Sequence, residues 1–482
     1  MSSKSKKSSR HSKSKVEGLD AVCPRCGAWK GKWCLHTAGD NKGEKRPKLH
    51  PGRIELAASK KKPVKFDEPK HKEDPRIARG RKLHDKAHKA KTELNEEQQE
   101  VVDIINEKIE VLGKHAQFVG PVSTGPIIST YRYYPMLKTK VAHLETLHKD
   151  IAVALGAEAV LIKRMPGESA VGFFIPNKKR TIVQFKDTLR HVTTYMQDDT
   201  EDGHMPIPIN FGITSDGDPF VDDLTTLPHL LIAGTTGGGK STLLHGVVDS
   251  MCWTMSPEEL QLYISDTKGV EFKHFASLPH LRAPIANDRY TVMNYFDQTL
   301  EETDKRYKMF GTAGVRNIHE YNERQPEGQK MPYIVFVIDE LADLMGQNIP
   351  RDEAKLCSDK LSNIVARSRG TGIYVVAATQ RPDVKQIKGS IKANFPSRLS
   401  FRLPSQADSK TILNTKGAEG LMMKGDMLYM SSTSPELRRL HGPYMSLDES
   451  KAMIEMIVQR HAPEETAVSV SAGDRPAFKS VQ

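Results

Sequence analysis

Between residues 225 and 445, short apolar runs alternate with longer stretches of helical period. LPHLLIAG, LQLYISD, YIVFVIDE, GIYVVAAT and SRLSFRL are each bounded by polar or Gly-rich segments. Runs that are continuously apolar predict parallel strands covered on both faces, with helices as the crossovers. Upstream, from about 115 to 215, the strand-like runs IISTYRYY, AVLIKRM, VGFFIP and TIVQF surround a helical stretch, KVAHLETLHKDIAVALG. They predict a small α/β domain of its own. Before it, Asn95 and Gln98 have capping-box spacing. Val101, Ile105, Ile109 and Leu112 then recur on one helical face until Gly113, which predicts one amphipathic helix. No repeat is evident, and no run approaches the 18 or so apolar residues that a membrane span needs.

Composition changes the picture mainly at the front of the chain. The 482 residues carry a formal net charge of +11. Residues 1–90 hold 26 Lys/Arg against 10 Asp/Glu, which leaves 45 basic and 50 acidic side chains in the remainder. A basic head on a near-neutral body fits an arm that attracts polyanions, joined to a machine that grips them elsewhere. The opening run MSSKSKKSSRHSKSK has no apolar segment behind it, so a secretory leader is not expected and the location expected is cytoplasmic. Five cysteines are too few for a disulfide scaffold, and Cys23, Cys26 and Cys34 cluster, as metal ligands do in a reducing compartment. Cys252 and Cys357 read as isolated thiols.

The chemistry-bearing motif is Gly234-Thr235-Thr236-Gly237-Gly238-Gly239-Lys240-Ser241, which fits the phosphate-binding pattern G-x-x-x-x-G-K-[ST] throughout. An apolar strand enters it and the helical run STLLHGVVDSM leaves it. The glycines let several backbone N–H groups converge at a helix N-terminus, a ready anion site. Lys240 is expected on the β- and γ-phosphates, Ser241 on Mg²⁺, and Thr242 completes the ATP-binding stretch. YIVFVIDE ends in two carboxylates. Asp339 fits the Mg²⁺-holding role and Glu340 the base that activates water. GIYVVAAT runs into Gln380, a polar residue at the tip where P-loop ATPases with an additional strand sense the γ-phosphate.

LPHLLIAGTTGGGKS, VIDELADLM, ATQRP, IKANFPSRLSF, DSKTIL and GDMLY resemble blocks of the FtsK/SpoIIIE family of DNA-pumping ATPases. So do GVRNIHEYN, GPVSTGPIISTYRYYP and PNKKR. The resemblance runs over roughly 118–445. It implies a RecA-like P-loop motor domain preceded by the family's small α domain, and a ring, typically a hexamer, with double-stranded DNA in its channel and ATP at subunit seams. It also implies a trans-acting arginine in IVARSRGTG, where Arg367 is the finger by position and Arg369 a second candidate. Arg381, Lys392 and Lys410 fall on basic, DNA-gripping positions of the family pattern, whereas Gln406 stands where a lysine is common. Lys385 and Lys388 are additional basic residues nearby.

The resemblance does not extend to the membrane-spanning and winged-helix parts of cell-division members, so neither is expected here. Their place is taken by CPRCGAWKGKWCLHTAGDNKGEKRPKLH. Cys23, Cys26 and Cys34, with His50 or His36 as fourth ligand, suit tetrahedral Zn²⁺. His50 is favoured because Cys34 and His36 are tightly spaced and because the arrangement resembles a small zinc module of actinobacterial and phage proteins. So few apolar residues make metal binding and folding one event.

The expected organisation is a basic tail (1–20), zinc module (21–53), charged linker (54–92), FtsK-like α domain with leading helix (93–215), RecA-like ATPase motor (216–450) and C-terminal helix or tail (451–482). The expected activity is DNA-stimulated ATP hydrolysis driving a duplex-DNA translocase, with an unidentified protein partner through residues 1–60. The alternatives are a plasmid or phage transfer or packaging motor and a slow nucleotide-switched DNA-binding protein.

Overall fold

The structure is a computed structural model that describes residues 94–462 apart from 137–138, 166, 199–204, 327, 347, 381–388 and 435. The chain divides into two compact units, Met1–Asp85 and Lys86–Gln482. The first lies outside the described residues, and with it Cys23, Cys26, Cys34 and His50. All the described residues belong to the second.

The leading helix, α1 (Glu96–Val111), starts as its sequence predicts. The Asn95 side chain accepts from the Gln98 N–H at 2.8 Å while Gln98 accepts from the Asn95 N–H at 3.2 Å. Its buried face, Val101, Val102, Ile105 and Ile109, packs with Tyr133, Phe173 and Ile175 of a separate small core. The sheet behind it contains β1 (Ala116–Thr124), β2 (Ile128–Pro135), β3 (Leu161–Arg164) and β4 (Val171–Pro176), in the order β1-β2-β4-β3. All its pairings are antiparallel.

The predicted continuous helix at 140–156 is instead two short ones, α2 (Val141–Glu145) and α3 (His148–Leu155). Thr146 Oγ1 donates to the His143 carbonyl at 2.6 Å, a side-chain bond that competes with the helical ladder at the break. The predicted strand TIVQF is also absent. Residues 181–184 form a strap joined to Tyr444 by one bridge at Gln184. Phe185 opens α4 (Phe185–Asp198).

The larger sheet has nine strands in the order β6-β5-β13-β12-β11-β7-β10-β9-β8. In chain order its elements are β5 (Pro208–Thr214), β6 (Pro219–Asp223), β7 (His229–Ala233), α5 (Lys240–Thr254) and β8 (Leu260–Ser265). Next come α6 (Arg289–Ala313), α7 (Ile318–Glu323), β9 (Tyr333–Ile338), α8 (Leu341–Met345), α9 (Arg351–Arg367) and β10 (Ile373–Thr379). α10 (Gly389–Asn394), β11 (Ser397–Phe401), α11 (Gln406–Leu413), β12 (Asp426–Met430), β13 (Arg438–His441) and α12 (Leu447–Arg460) complete it.

β11, β7, β10, β9 and β8 are parallel neighbours, as the five apolar runs predict. β7, β9 and β10 are buried along their whole length, because helices cover both faces. β10 lies between β7 and β9, so the additional strand separates the loop-bearing strand from the carboxylate-bearing one. Beyond β11 the sheet continues antiparallel through β12, β13, β5 and β6, so it is mixed rather than purely parallel. The β5–β6 hairpin spans residue 215, where the sequence reading divided the two domains, and both strands belong to the larger sheet. Cys252 and Cys357 are buried thiols.

Candidate active site

Parallel strands deliver their C-terminal tips to one edge of the sheet, and loops there are where α/β proteins bind ligands. β7 ends at Ala233 and the Gly-rich loop follows. Gly237 (φ +77°) and Gly239 (φ +121°) adopt backbone conformations closed to other residues without strain. A Cβ on Gly239 would also meet the Gly425 nitrogen and the Phe401 ring, both at 3.0 Å. Gly238 is held from outside by the Gly425 N–H, which donates to its carbonyl at 2.8 Å. The loop hands over to α5 at Lys240, so the free N–H groups of a 15-residue helix face the loop.

Lys240 is buried. Its ammonium donates to the Asp339 carbonyl at 2.7 Å and forms an ion pair with the Asp339 carboxylate. Glu340, one residue on, is held by donors from the end of β10 and the first turn of α8. Thr379 Oγ1 donates to Oε1 at 2.7 Å, the Gln380 N–H donates to Oε2 at 2.9 Å and the Ala342 N–H donates to Oε1 at 3.2 Å. Gln380 in turn accepts through Oε1 from Thr236 Oγ1 at 3.3 Å. A chain of contacts thus runs from the loop through Gln380 to Glu340. The sequence-predicted Lys240, Asp339, Glu340, Gln380 and Thr236 all meet at this edge.

Beside the loop opens a cavity of about 650 Å³, within the size range of small-ligand sites. Thr235, Thr236, Gly237, Gly239, Lys240, Ser241 and Thr242 line one wall. The other walls come from segments that sequence reasoning did not assign: Arg180–Val183 of the strap, Met422–Gly425, and His441–Tyr444. The strap stays there because Tyr444 N–H donates to the Val183 carbonyl at 2.7 Å and Phe185 N–H donates to the Tyr444 carbonyl at 2.9 Å. Ile182 and Tyr444 are left half-exposed where they line the cavity. The PNKKR block, which ends at Arg180, and the GDMLY block, which begins at Gly425, were the hints of this part of the site.

Other predicted residues lie elsewhere. Arg367 ends α9 and pairs with the Asp304 carboxylate at the surface. Arg369 is exposed in the turn that precedes β10. Both sit at the N-terminal end of β10, opposite its Gln380 tip. Seven residues at about 3.3 Å each put roughly 20 Å between the two ends, so neither arginine reaches the loop of its own chain. Lys392 and Lys410 are brought together: Lys392 Nζ donates to the Lys410 carbonyl at 3.3 Å. Burial first, and the nearby Arg398 charge second, hold the Lys392 ammonium below its ordinary value. Arg381, Lys385 and Lys388 lie outside the described residues. Among the described residues no helix is long and apolar enough to cross a membrane.

Comparison with known proteins agrees with this geometry. Residues 188–384 match the FtsK/SpoIIIE family and residues 80–177 the FtsK alpha domain. Residues 14–68 match a phage zinc finger domain. The DNA translocase FtsK of Staphylococcus aureus (strain Mu50) is 34% identical over 404 residues, covering 81% of this chain and 49% of that protein. The DNA translocase FtsK of Helicobacter pylori (strain 26695) is 36% identical over 337 residues, covering 69% of this chain and 38% of that protein. The chain therefore spans about half the length of the Staphylococcus relative, or less for the Helicobacter one. In fold it is similar to the pCW3 conjugation coupling protein TcpA, solved in monomer form with ATPγS. The TM-score is 0.51 at 22% identity, covering 74% of this chain and 99% of that one. With both family domains present in order, and their P-loop, carboxylate strand and intervening strand assembled at one edge, the chain belongs to the FtsK/SpoIIIE family.

Proposed function

We propose that this chain is an ATP-hydrolysing translocase of double-stranded DNA that works as a ring. The observation that carries the reading is the convergence of Lys240, Asp339, Glu340 and Gln380 at the loop edge, each tied to another by a hydrogen bond or ion pair. The relatives named as DNA translocases support the substrate.

The residues present fit a Mg-nucleotide. The Gly-rich loop itself forms one wall of the cavity, and Ser241 with Asp339 offers the hard oxygen donors that suit Mg²⁺. Bound there, the ion would neutralise phosphate charge as the terminal phosphoryl leaves. Lys240, whose ammonium rests on Asp339, is the cation at the loop that would hold the phosphates of a bound nucleotide. Glu340 is held in one orientation by Thr379 and the Gln380 N–H, so its carboxylate is fixed where an attacking water gives up a proton. Gln380 touches the loop through Thr236 and the base through its own N–H, which makes it the residue that registers phosphate occupancy.

Charge developing on the phosphoryl oxygens needs a further cation. Arg367 is too far to supply it within one chain, so the finger comes from a neighbouring copy. This geometry favours a ring over a monomeric ATPase, with six copies as the family's usual number. Lys392 and Lys410, with Arg381 in the same stretch, are the proposed DNA contacts, and binding through them is sequence-blind and salt-sensitive. The N-terminal module, with Cys23, Cys26, Cys34 and His50 as Zn²⁺ ligands, is a second DNA or protein contact.

The deciding experiment is displacement of a triplex-forming strand from duplex DNA, with ATP turnover followed in parallel. The wild type should displace the strand and speed up with DNA. Glu340→Gln should bind ATP and DNA yet leave the strand in place, and displacement at the wild-type rate by that variant would remove Glu340 from its role. Turnover indifferent to duplex DNA at low salt would overturn the translocase reading.

A further inference from the structure

The Gly-rich loop is braced by a strand that the nucleotide chemistry does not use. β11 lies parallel to β7, in register from Ser397 opposite Leu230 to Ser400 opposite Ala233. At its upper end it meets the loop directly. The Thr235 N–H and Oγ1 donate to the Arg402 carbonyl at 3.1 and 3.2 Å. A Cβ on Gly234 would fall 2.7 Å from the Phe401 Cβ. Backbone hydrogen bonds and van der Waals contact at that distance leave the loop little freedom to shift without β11.

Four residues earlier, at the lower end of the strand, Arg398 is 6% exposed. Its guanidinium is occupied by main-chain carbonyls: Nε donates to Phe395 at 2.8 Å, Nη1 to Ile412 at 3.1 Å and Nη2 to Lys392 at 2.7 Å. Lys392 and Ile412 lie in the last turns of α10 and α11, where helix carbonyls have no partner of their own. Among the described residues no carboxylate pairs with this guanidinium. Desolvating a charge is costly, and an apolar side chain of the same size commonly stabilises a core as well or better. What a guanidinium adds is a planar fork that fixes several acceptors in one geometry. Here the acceptors are the ends of the two helices that carry Lys392 and Lys410.

We propose that Arg398 is a positioning residue, and that β11 is a strut about 13 Å long between the phosphate loop and the pair of basic helices. Movement of the loop on nucleotide binding is passed along β11 to α10 and α11, which shift together because one side chain holds both. The inference rests on Lys392 and Lys410 being DNA contacts, as proposed above.

The full chain is compared as wild type, Arg398→Lys and Arg398→Met, for ATP turnover with and without duplex DNA and for the salt dependence of DNA binding. In Arg398→Met, DNA-free turnover should stay within about twofold while the stimulation by DNA falls about tenfold or more. The log–log salt slope should lose about 0.9 for each lysine contact. Arg398→Lys keeps the charge but not the fork and should fail to rescue stimulation. Parallel loss of both turnovers, or full stimulation in Arg398→Met, overturns the proposal. A second measurement needs no variant: amide exchange in 389–395 and 406–414 of the wild type, without DNA, should slow by about threefold or more on adding ATPγS. No change there overturns the strut. A Lys392→Ala/Lys410→Ala double variant with the wild-type salt slope would instead dismiss these lysines as DNA contacts and leave the exchange result to decide the strut.

Discussion

Strand β10 has two chemically unlike ends. At its C-terminal tip, Thr379 and Gln380 are tied to Glu340 and Thr236 by hydrogen bonds inside a closed edge. At its N-terminal end, Arg367 and Asp304 form a pair with both side chains about half exposed. The first end is finished within one chain, whereas the second holds a cation that nothing buried requires. Arranged so, one strand can present a completed phosphate site to one neighbour and a surface cation, paired only with exposed Asp304, to the other. The proposed ring therefore predicts opposite responses to substitution: changes at the tip should act within the chain that carries them, and changes at the far end on the next.

The largest effect expected separates the ends by complementation. Lys240→Ala and Arg367→Ala should each abolish DNA-stimulated turnover, the arginine by about 10³-fold or more. Mixing the two should recover activity measurably, because some seams then pair an intact loop with an intact finger. No recovery on mixing would place both residues in one site and erase the contrast.

Next comes stability. Near the tip side, Asp426 accepts from Arg439 Nε at 2.9 Å and Nη2 at 2.6 Å, with both side chains buried. It also accepts from the Met422 N–H at 2.7 Å. Asp426→Asn should cost about 3–5 kcal/mol in denaturant unfolding because it leaves a buried charge unmatched. Asp304→Asn, which breaks the exposed Arg367 pair, should cost under about 1 kcal/mol. Equal costs would mean that the Arg367 end is as closed as the tip.

A smaller effect follows pH. His245, one turn beyond Lys240 on α5, is pushed down to about 4 by burial first and the neighbouring His274 second. His280 is pushed down to about 4, chiefly by burial. Both stay neutral when folded but take up protons when unfolded near 6.5. Their contribution is complete above that pH and is lost as pH falls towards 4, by up to about 3 kcal/mol each. Asp249 is buried and holds its proton well above the usual carboxylate range, so it works in the opposite sense over the same window. The thermal midpoint of the wild type should fall between pH 6.5 and 4.5, and His280→Phe should flatten that fall. A pH-independent midpoint would rule out a net contribution from these groups.

The smallest effect tests the entry helix. Asn95→Ala removes one half of the capping box and should cost about 1 kcal/mol, with no change in turnover per folded protein.

How far these features could be read from residues alone depended on whether they advertise themselves locally. The five parallel strands are buried on both faces, so their sequences are unbroken apolar runs, and the glycines and Lys240 of the loop have no common alternative use. β12 and β13 hide their period because Asp426 and Arg439 satisfy each other inside the sheet, placing charges where a strand reading expects apolar residues. TIVQF misled in the opposite direction. Val183 and Phe185 are buried as in a strand, yet only Gln184 finds a bridge partner, because the strap's ladder stops after the two bonds to Tyr444 and the Thr181 N–H donates instead to the Pro126 carbonyl. The cavity walls at 180–183, 422–425 and 441–444 come from distant stretches, and nothing in any one of them announces the others.

The pairing of the strap with Tyr444 also decides how this protein can be cut and recombined. An exchange of the small domain that ended at residue 177 would leave the host's strap seated against its own Tyr444. One that ended beyond Phe185 would bring a foreign strap to a cavity whose far wall had been shaped for another. Chimaeras should therefore tolerate the first junction and need residues 442–444 transplanted along with the second, which makes the unit of inheritance discontinuous along the chain.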